Sequence, residues 1–170
     1  MTAPRTTKEE YYLGIAREVA RRSTCWRRSI GAIIVRDDQI ISAGYVGAPR
    51  KTRDSVEHGF CLRDRLGIPH GQRYELCRSV HAEQNAIINA ARAGVSLLGG
   101  DMYIHGTDGG STAVINAFPC FICKKMIINA GLVRVVCSTA ADAPAVLLID
   151  DWAKAWREAD ILDDTHQYGS

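Results

Sequence analysis

Two short stretches carry side chains able to do chemistry together: SVHAEQN at 79–85 and NAFPCFICKK at 116–125. Cys120 and Cys123 form a Cys-x-x-Cys pair at the start of a helical stretch, which directs both sulfurs toward one point. The positive end of a helix dipole there favours the thiolate form that binds metal. Two thiolates and the His81 imidazole make three ligands and leave one tetrahedral position open. That is how catalytic zinc is held, whereas closed structural sites use four protein ligands. An open position can hold a water whose pKa falls toward about 7. Protons must then move between that water and a substrate, and Glu83, at the same helix start as His81, is placed to carry them.

Blander readings compete for the same residues. A redox dithiol would also be Cys-x-x-Cys, but the intervening Phe-Ile and the order of elements that follows are not thioredoxin-like. A structural zinc would need a fourth ligand, which Cys77 could supply. His81 and Glu83 alone could be an ordinary helix N-terminus, where acidic residues are common. Only the joint pattern points to a catalytic metal.

The elements that must position these groups follow from periodicity. A helix is expected over roughly 7–22, where Thr7 and Glu10 have capping-box spacing and Tyr12, Ile15, Ala16, Val19 and Ala20 form an apolar stripe. IGAIIV (30–35) and QIISAG (39–44) flank the turn residues RDD and read as a hairpin. From GAPRKTRD to about 78 the periodicity fades into a long loop with a short helical piece around 57–66, and long loops in compact domains are often functional. A helix from about His81 ends at Gly94, and another starts at Pro119 and ends at Gly131. DMYIHG (101–106), LVRVVC (132–137) and AVLLI (145–149) read as strands, with Asp150 capping a last helix, DWAKAWREA. Trp152 and Trp156, four residues apart there, read as a packing or subunit stripe, and His105 as a satisfied polar core group in preference to a substrate contact. The order indicates a three-layer α/β domain, with its core at about 7–158 of a single 1–170 unit and a weakly ordered tail at 159–170.

HAE at 81–83 and PCFIC at 119–123 resemble the signature of the zinc-dependent cytidine deaminase superfamily. GYVGAPR (44–50), CRSVHAEQNAI (77–87) and CKKMIINAGLVRVV (123–136) are similar to its deoxycytidylate (dCMP) deaminase branch. The resemblance covers roughly 8–137. It implies a five-stranded mixed sheet with helices on both faces, zinc held by His81, Cys120 and Cys123, and Glu83 as proton shuttle. The implied reaction is attack of water on C4 of a cytosine nucleotide, dCMP going to dUMP and ammonia. The family further implies that the Ala82 backbone N–H and the carbonyl of Pro119, next to Cys120, face the ring, and that the chain is a homo-oligomer. Some members of the branch hold a second zinc, for which Cys25, Cys61, Cys77, His58 and His70 are the candidates here. Ser55 stands where similarity expects another cysteine.

The match loosens where substrate is chosen. The branch has Gly-Tyr-Asn-Gly where this chain has Val46, so a polar contact is missing or replaced. The loop GTDGGSTAVINA (106–117) lengthens the run between the two metal motifs. Arg50, Lys51 and Arg53 form a basic cluster that would suit a 5′-phosphate; a solvated charged loop is the plain alternative. Deamination of another base or nucleoside, or of adenosine in a tRNA, and a non-catalytic zinc-stabilised module related to DNA uptake, remain the other readings.

The chain of 170 residues has a formal net charge of +2, 46% hydrophobic and 24% charged residues, which argues against nucleic acid as the partner. It has no apolar run long enough to span a membrane and no signal-peptide h-region in MTAPRTTKEE. A cytoplasmic location is expected, where its six cysteines are metal ligands or buried thiols, not disulfides.

Overall fold

The structure, a computed structural model, describes residues 5–141 and 143–158; the expected weakly ordered tail lies outside them. Helix α1 (Lys8–Ala20) begins with the anticipated box: the Thr7 Oγ1 accepts the Glu10 N–H at 3.2 Å and the Glu10 carboxylate accepts the Thr7 N–H at 2.9 Å. Strands β1 (Arg28–Arg36) and β2 (Gln39–Tyr45) form the hairpin. Its turn residues Asp37 and Asp38 both have positive φ, 50° and 62°, the backbone that a two-residue hairpin with right-handed twist demands.

Strands β3 (Asp101–Asp108), β4 (Arg134–Cys137) and β5 (Ala145–Leu148) complete a five-stranded sheet of order β2-β1-β3-β4-β5. Only β3 and β4 pair in parallel, so the sheet is mixed. Side chains alternate along β1. Ile33 and Val35 join Tyr12, Ala16, Tyr103 and Val136 beneath α1. Ala32 and Ile34 join Ala82, Ala86, Ala90, Cys123 and Ile127 on the opposite face, beneath α4 (Ala82–Ala93) and α5 (Phe121–Asn129). Helices therefore cover both faces, giving the three layers expected.

Each face has one glycine where a helix backbone comes close. A Cβ on Gly31 would lie 2.3 Å from the Ala16 carbonyl oxygen, and one on Gly44 would lie 2.3 Å from the Ala86 nitrogen. Neither separation is sterically possible, so both helices lean on the sheet through bare backbone.

Between β2 and α4 the chain leaves the sheet and returns through a narrow neck. Gly47 and Val80 exchange both backbone hydrogen bonds, at 3.1 and 2.8 Å. Inside the loop the single helical piece expected at 57–66 is two, α2 (Ser55–His58) and α3 (Leu62–Arg65). Gly59, at φ 74°, ends the first in the left-handed conformation that α-helix cannot continue. The 106–117 loop is shorter than read, because β3 runs on to Asp108 and Val114 bridges back to Thr107.

Three local expectations need correction. The helix that bears the two cysteines, α5, starts at Phe121 with Cys120 as its N-cap, so Pro119 lies outside it. The last helix, α6 (Ile149–Glu158), starts before Asp150, which sits in its first turn. His105 lies on the α1 face with Tyr103 and is buried, but its Nε2 has no hydrogen-bond partner among the described residues. Trp152 and Trp156 do pack on α5: Trp156 stacks on Phe121 at 5.2 Å and Lys124 lies over Trp152. Among the described residues no helix is long and apolar enough to cross a membrane.

Candidate metal centre and active site

Both metal motifs sit at the N-termini of neighbouring helices on one face of the sheet. His81 is the N-cap of α4 and Cys120 the N-cap of α5, each with extended backbone. Gln84 fixes the first cap, its Oε1 accepting the His81 backbone N–H at 3.1 Å. Cys123 follows in the first turn of α5 and is fully buried.

The side chains converge. His81 Nδ1 lies 3.4 Å from Cys120 Sγ and 3.4 Å from Cys123 Sγ, and all three ligand atoms lie within 4.8 Å of one another. Zinc held tetrahedrally with ordinary Zn–N and Zn–S lengths places a nitrogen and a sulfur roughly 3.6 Å apart. The donor set and its spacing therefore fit zinc, with three protein ligands and one vertex left over.

The electrostatics agree. The Cys120 thiol is driven down to about 4, chiefly by its hydrogen bond with Cys123, with help from His81. Cys123 is pushed up by the Cys120 sulfur and by burial. Burial opposes charge on His81, but Cys120 and Glu83 outweigh it and carry the imidazole up to about 9. Two thiolates side by side repel, and a dication between them reverses that repulsion. Glu83, in the first turn of α4 and only 5% exposed, has its carboxyl raised by burial, against the pull of His81.

These residues open into a cavity of about 450 Å³, whose lining includes His81, Ala82, Glu83 and Cys120. That volume is in the range of small-molecule sites. A neighbouring, more open depression of about 550 Å³ shares His81 and Tyr74 but reaches neither Glu83 nor the cysteines.

Of the other residues singled out in the sequence, Val46 lines the cavity beside Ala82, while Pro119 is fully buried and does not. The 50–53 cluster lies elsewhere. Arg50 Nη2 donates to Asn89 Oδ1 at 2.7 Å, Arg53 Nη2 donates to the Glu57 carbonyl at 3.1 Å, and Lys51 is exposed at φ 66°. None of the three is among the cavity residues. Cys25, Cys61, Cys77 and His70 line the cavity, whereas His58 packs against Phe60. Among the described residues the His, Cys, Asp and Glu group whose ligand atoms lie within 4.8 Å of one another is His81, Cys120 and Cys123; Cys25, Cys61, Cys77 and His70 share the cavity wall without reaching that spacing.

The family described as the cytidine and deoxycytidylate deaminase zinc-binding region matches residues 6–139. The chain belongs to this family. Among its deaminase relatives, the deoxycytidylate deaminase of Mycobacterium phage D29 is 33% identical over 133 residues, 75% of this chain and 91% of the phage protein. The deoxycytidylate deaminase of Schizosaccharomyces pombe is 30% identical over 138 residues, 80% of this chain but 38% of the yeast protein. The chain thus spans well under half of that longer deaminase. The dCMP deaminase of cyanophage S-TIM5, solved in complex with dCMP and dUMP, superposes with a TM-score of 0.54 at 27% identity, covering 77% of this chain and 82% of that one. Zinc is the metal of the deaminase family, and His81, Cys120 and Cys123 are the residues here that would hold it.

Sequence reading missed several cavity residues: Arg27, Arg28, Arg63, Tyr74, Asn116 and Phe118. Adjacency to the PC motif was an available signal for Asn116 and Phe118. Nothing local marked the arginines or Tyr74: the course of the long loop brings in Arg63 and Tyr74, and Arg27 and Arg28 join them from the start of β1.

Proposed function

We propose that this chain is a zinc-dependent hydrolase that converts dCMP to dUMP and ammonia. One observation carries the reading: a nearly fully buried carboxyl, Glu83, beside a three-ligand group with an open vertex, both facing one cavity of nucleotide size. The names of the D29, fission yeast and cyanophage relatives support the same substrate.

Zinc, when bound, supplies Lewis-acid activation of water at neutral pH. Glu83 supplies the rest. Its carboxylate takes the proton released as water attacks C4 of the cytosine, passes it to ring N3, and then assists departure of the amino group as ammonia. Burial suits it to this, because a raised carboxyl pKa narrows the gap between donor and acceptor at each transfer. Ala82, at the start of α4, lines the cavity and offers its backbone N–H to the ring, whereas Pro119, buried outside the cavity lining, is given no contact with the amino group. Val46, apolar and buried, presses on the base without a polar contact.

The enzyme is further proposed to act as one domain over 7–158, on a free nucleotide, in the cytoplasm; its cysteines are all free thiols, which suits a reducing compartment. A homo-oligomer would have to use side chains such as Ile88 and Ile122, which are exposed, because Ile87, Ile127 and Ile128 are spent in the chain's own core. The deciding experiment is ammonia release by the zinc-loaded protein across cytosine, adenine and guanine substrates as base, nucleoside and monophosphate. Turnover of dCMP to dUMP is expected; turnover confined to another base would overturn the assignment.

A further inference from the structure

Val46, the residue after β2, and Ala82 and Glu83, at the start of α4, line one cavity from two different elements. The width of that space depends on how the end of β2 is held against α4. On its sheet side Val46 is fixed by backbone: its N–H donates to the Ile30 carbonyl at 2.9 Å and its carbonyl accepts the Thr24 N–H at 3.1 Å. Toward α4 the strand comes close at Gly44, where a Cβ would lie 2.6 Å from the Ala82 carbonyl oxygen. Contact between bare backbones limits approach but does not stop sliding, whereas a hydrogen bond fixes direction as well.

Two asparagines supply that direction. Asn85 and Asn89 lie one turn apart on α4 and so project from one face. The Asn85 Nδ2 donates to the Tyr45 carbonyl and the Asn89 Nδ2 to the Ala43 carbonyl, both at 2.8 Å. β2 is an edge strand, so carbonyls on its outer side have no strand to bond. Because the Val46 N–H turns inward to Ile30 and the peptide is trans, the Tyr45 carbonyl must turn outward. Asn85 has a second acceptor, the Val80 carbonyl, at 3.5 Å. Val80 pairs with Gly47 in the neck and is the residue before His81. One carboxamide thus holds both the residue before Val46 and the residue before a metal ligand. Asn89 makes the same bond to the same strand one turn further from the site.

We infer that Asn85 is a positioning residue for the deamination: it staples the Val46 wall to the helix that carries Glu83 and so sets the width of the substrate cavity. This rests on the deaminase reading above. Asn85 is not among the cavity residues, so its effect on substrate runs through Val46. Metal ligation is spared, because Gln84 fixes the His81 cap and α5 carries the two cysteines.

The test compares Asn85→Leu with Asn89→Leu, each of which keeps roughly the size of the side chain and removes the donor. Metal analysis should find zinc at the wild-type level in both. Asn85→Leu should raise KM for dCMP about 10-fold with kcat within about threefold of wild type, and Asn89→Leu should leave both within about twofold. Asn85→Gln, which keeps the donor on a longer arm, should show the same split at smaller size and serves where the Leu variant does not fold. A KM shift of equal size in the two Leu variants would reduce Asn85 to a stability residue. An unchanged KM, or zinc lost from Asn85→Leu alone, would overturn the assignment. If wild type does not deaminate dCMP, the proposed function fails instead, and backbone hydrogen exchange decides the staple. The Gly47 and Val80 amides should exchange about 10-fold faster in Asn85→Leu than in wild type and at the wild-type rate in Asn89→Leu; equal rates in all three proteins refute it.

Discussion

The two faces of the sheet are built on the same plan and end in opposite outcomes. Beneath α1 the contacts close: Tyr12 meets Tyr103 at a tilt with ring centroids 4.9 Å apart, its hydroxyl donates to Asp38 at 2.7 Å, and Arg134 ties Glu9 to Asp101. Beneath α4 the packing residues are alanines, Ala82, Ala86 and Ala90, and the helix ends face a cavity. Large side chains seal one face. Small ones along α4 bring its N-terminus, with His81 and Glu83, down to the sheet and leave the space in front of it to ligands. The lesson is that the site is made less by the residues that fill than by those that do not.

The sharpest test of that contrast lies at Glu83. Glu83→Gln should cost on the order of 10⁴-fold in kcat, while metal analysis still finds zinc at the wild-type level. A zinc-replete variant that turns over normally would remove Glu83 from the mechanism and with it the functional meaning of the open face.

Next come the two glycines. Gly44→Ala and Gly31→Ala should each cost about 3 kcal/mol in denaturant unfolding, since each adds a methyl against helix backbone that cannot yield. They should differ in consequence. Gly44→Ala displaces α4, which carries His81 and Glu83, so zinc affinity and kcat fall in the folded fraction; Gly31→Ala displaces α1 and should leave both intact. Equal effects on activity would show that the two faces are not independent.

The sealed face has its own pH signature. Tyr12 is raised from 10.0 to about 12, first by its hydrogen bond to Asp38 and then by burial. Its neutral form is favoured by folding, so its contribution is complete below pH 10 and is lost as pH rises from there through about 12. Asp38 is shifted the other way, below its ordinary 3.8, by Tyr12 and then Lys8, and its share is lost as pH falls through that lowered value. Melting temperature scanned from about pH 9 to about pH 12 should fall more steeply for wild type than for Tyr12→Phe. Parallel curves would mean that the hydrogen bond does not govern the alkaline limb. The smallest effect is expected at Arg50, where Arg50→Gln should leave kcat/KM for dCMP within about twofold, because its partner is Asn89 and not the cavity.

What the sequence made legible divides along the same lines. The metal group was readable because each ligand is tied to a local signal: His81 and Cys120 cap helices, and Cys123 follows within one turn. The sheet and its covering helices were readable from periodicity. The wall opposite the metal was not. Arg27 reaches Asp64, Ile68 and Pro69 across some forty residues of chain, 37 to 42 apart, and such contacts decide which of many arginines turn inward. Arg50, Lys51 and Arg53 had the right charge at the right distance from the GYVG turn, yet the loop carries them outside. The break at Gly59 escaped for a related reason, since a lone glycine in a helical pattern can be tolerated or can stop it.

The neck at Gly47 and Val80 has a consequence for how such a protein can change. Because the two ends of the loop are hydrogen-bonded to each other, the cost of closing it grows only slowly with its length. Insertions, deletions or wholesale replacement between 48 and 79 would therefore fall on a side of the junction that leaves the zinc ligands and Glu83 where they are. The loop behaves as an exchangeable cassette, in which selectivity for the non-reacting end of a substrate can drift while the reacting end stays fixed.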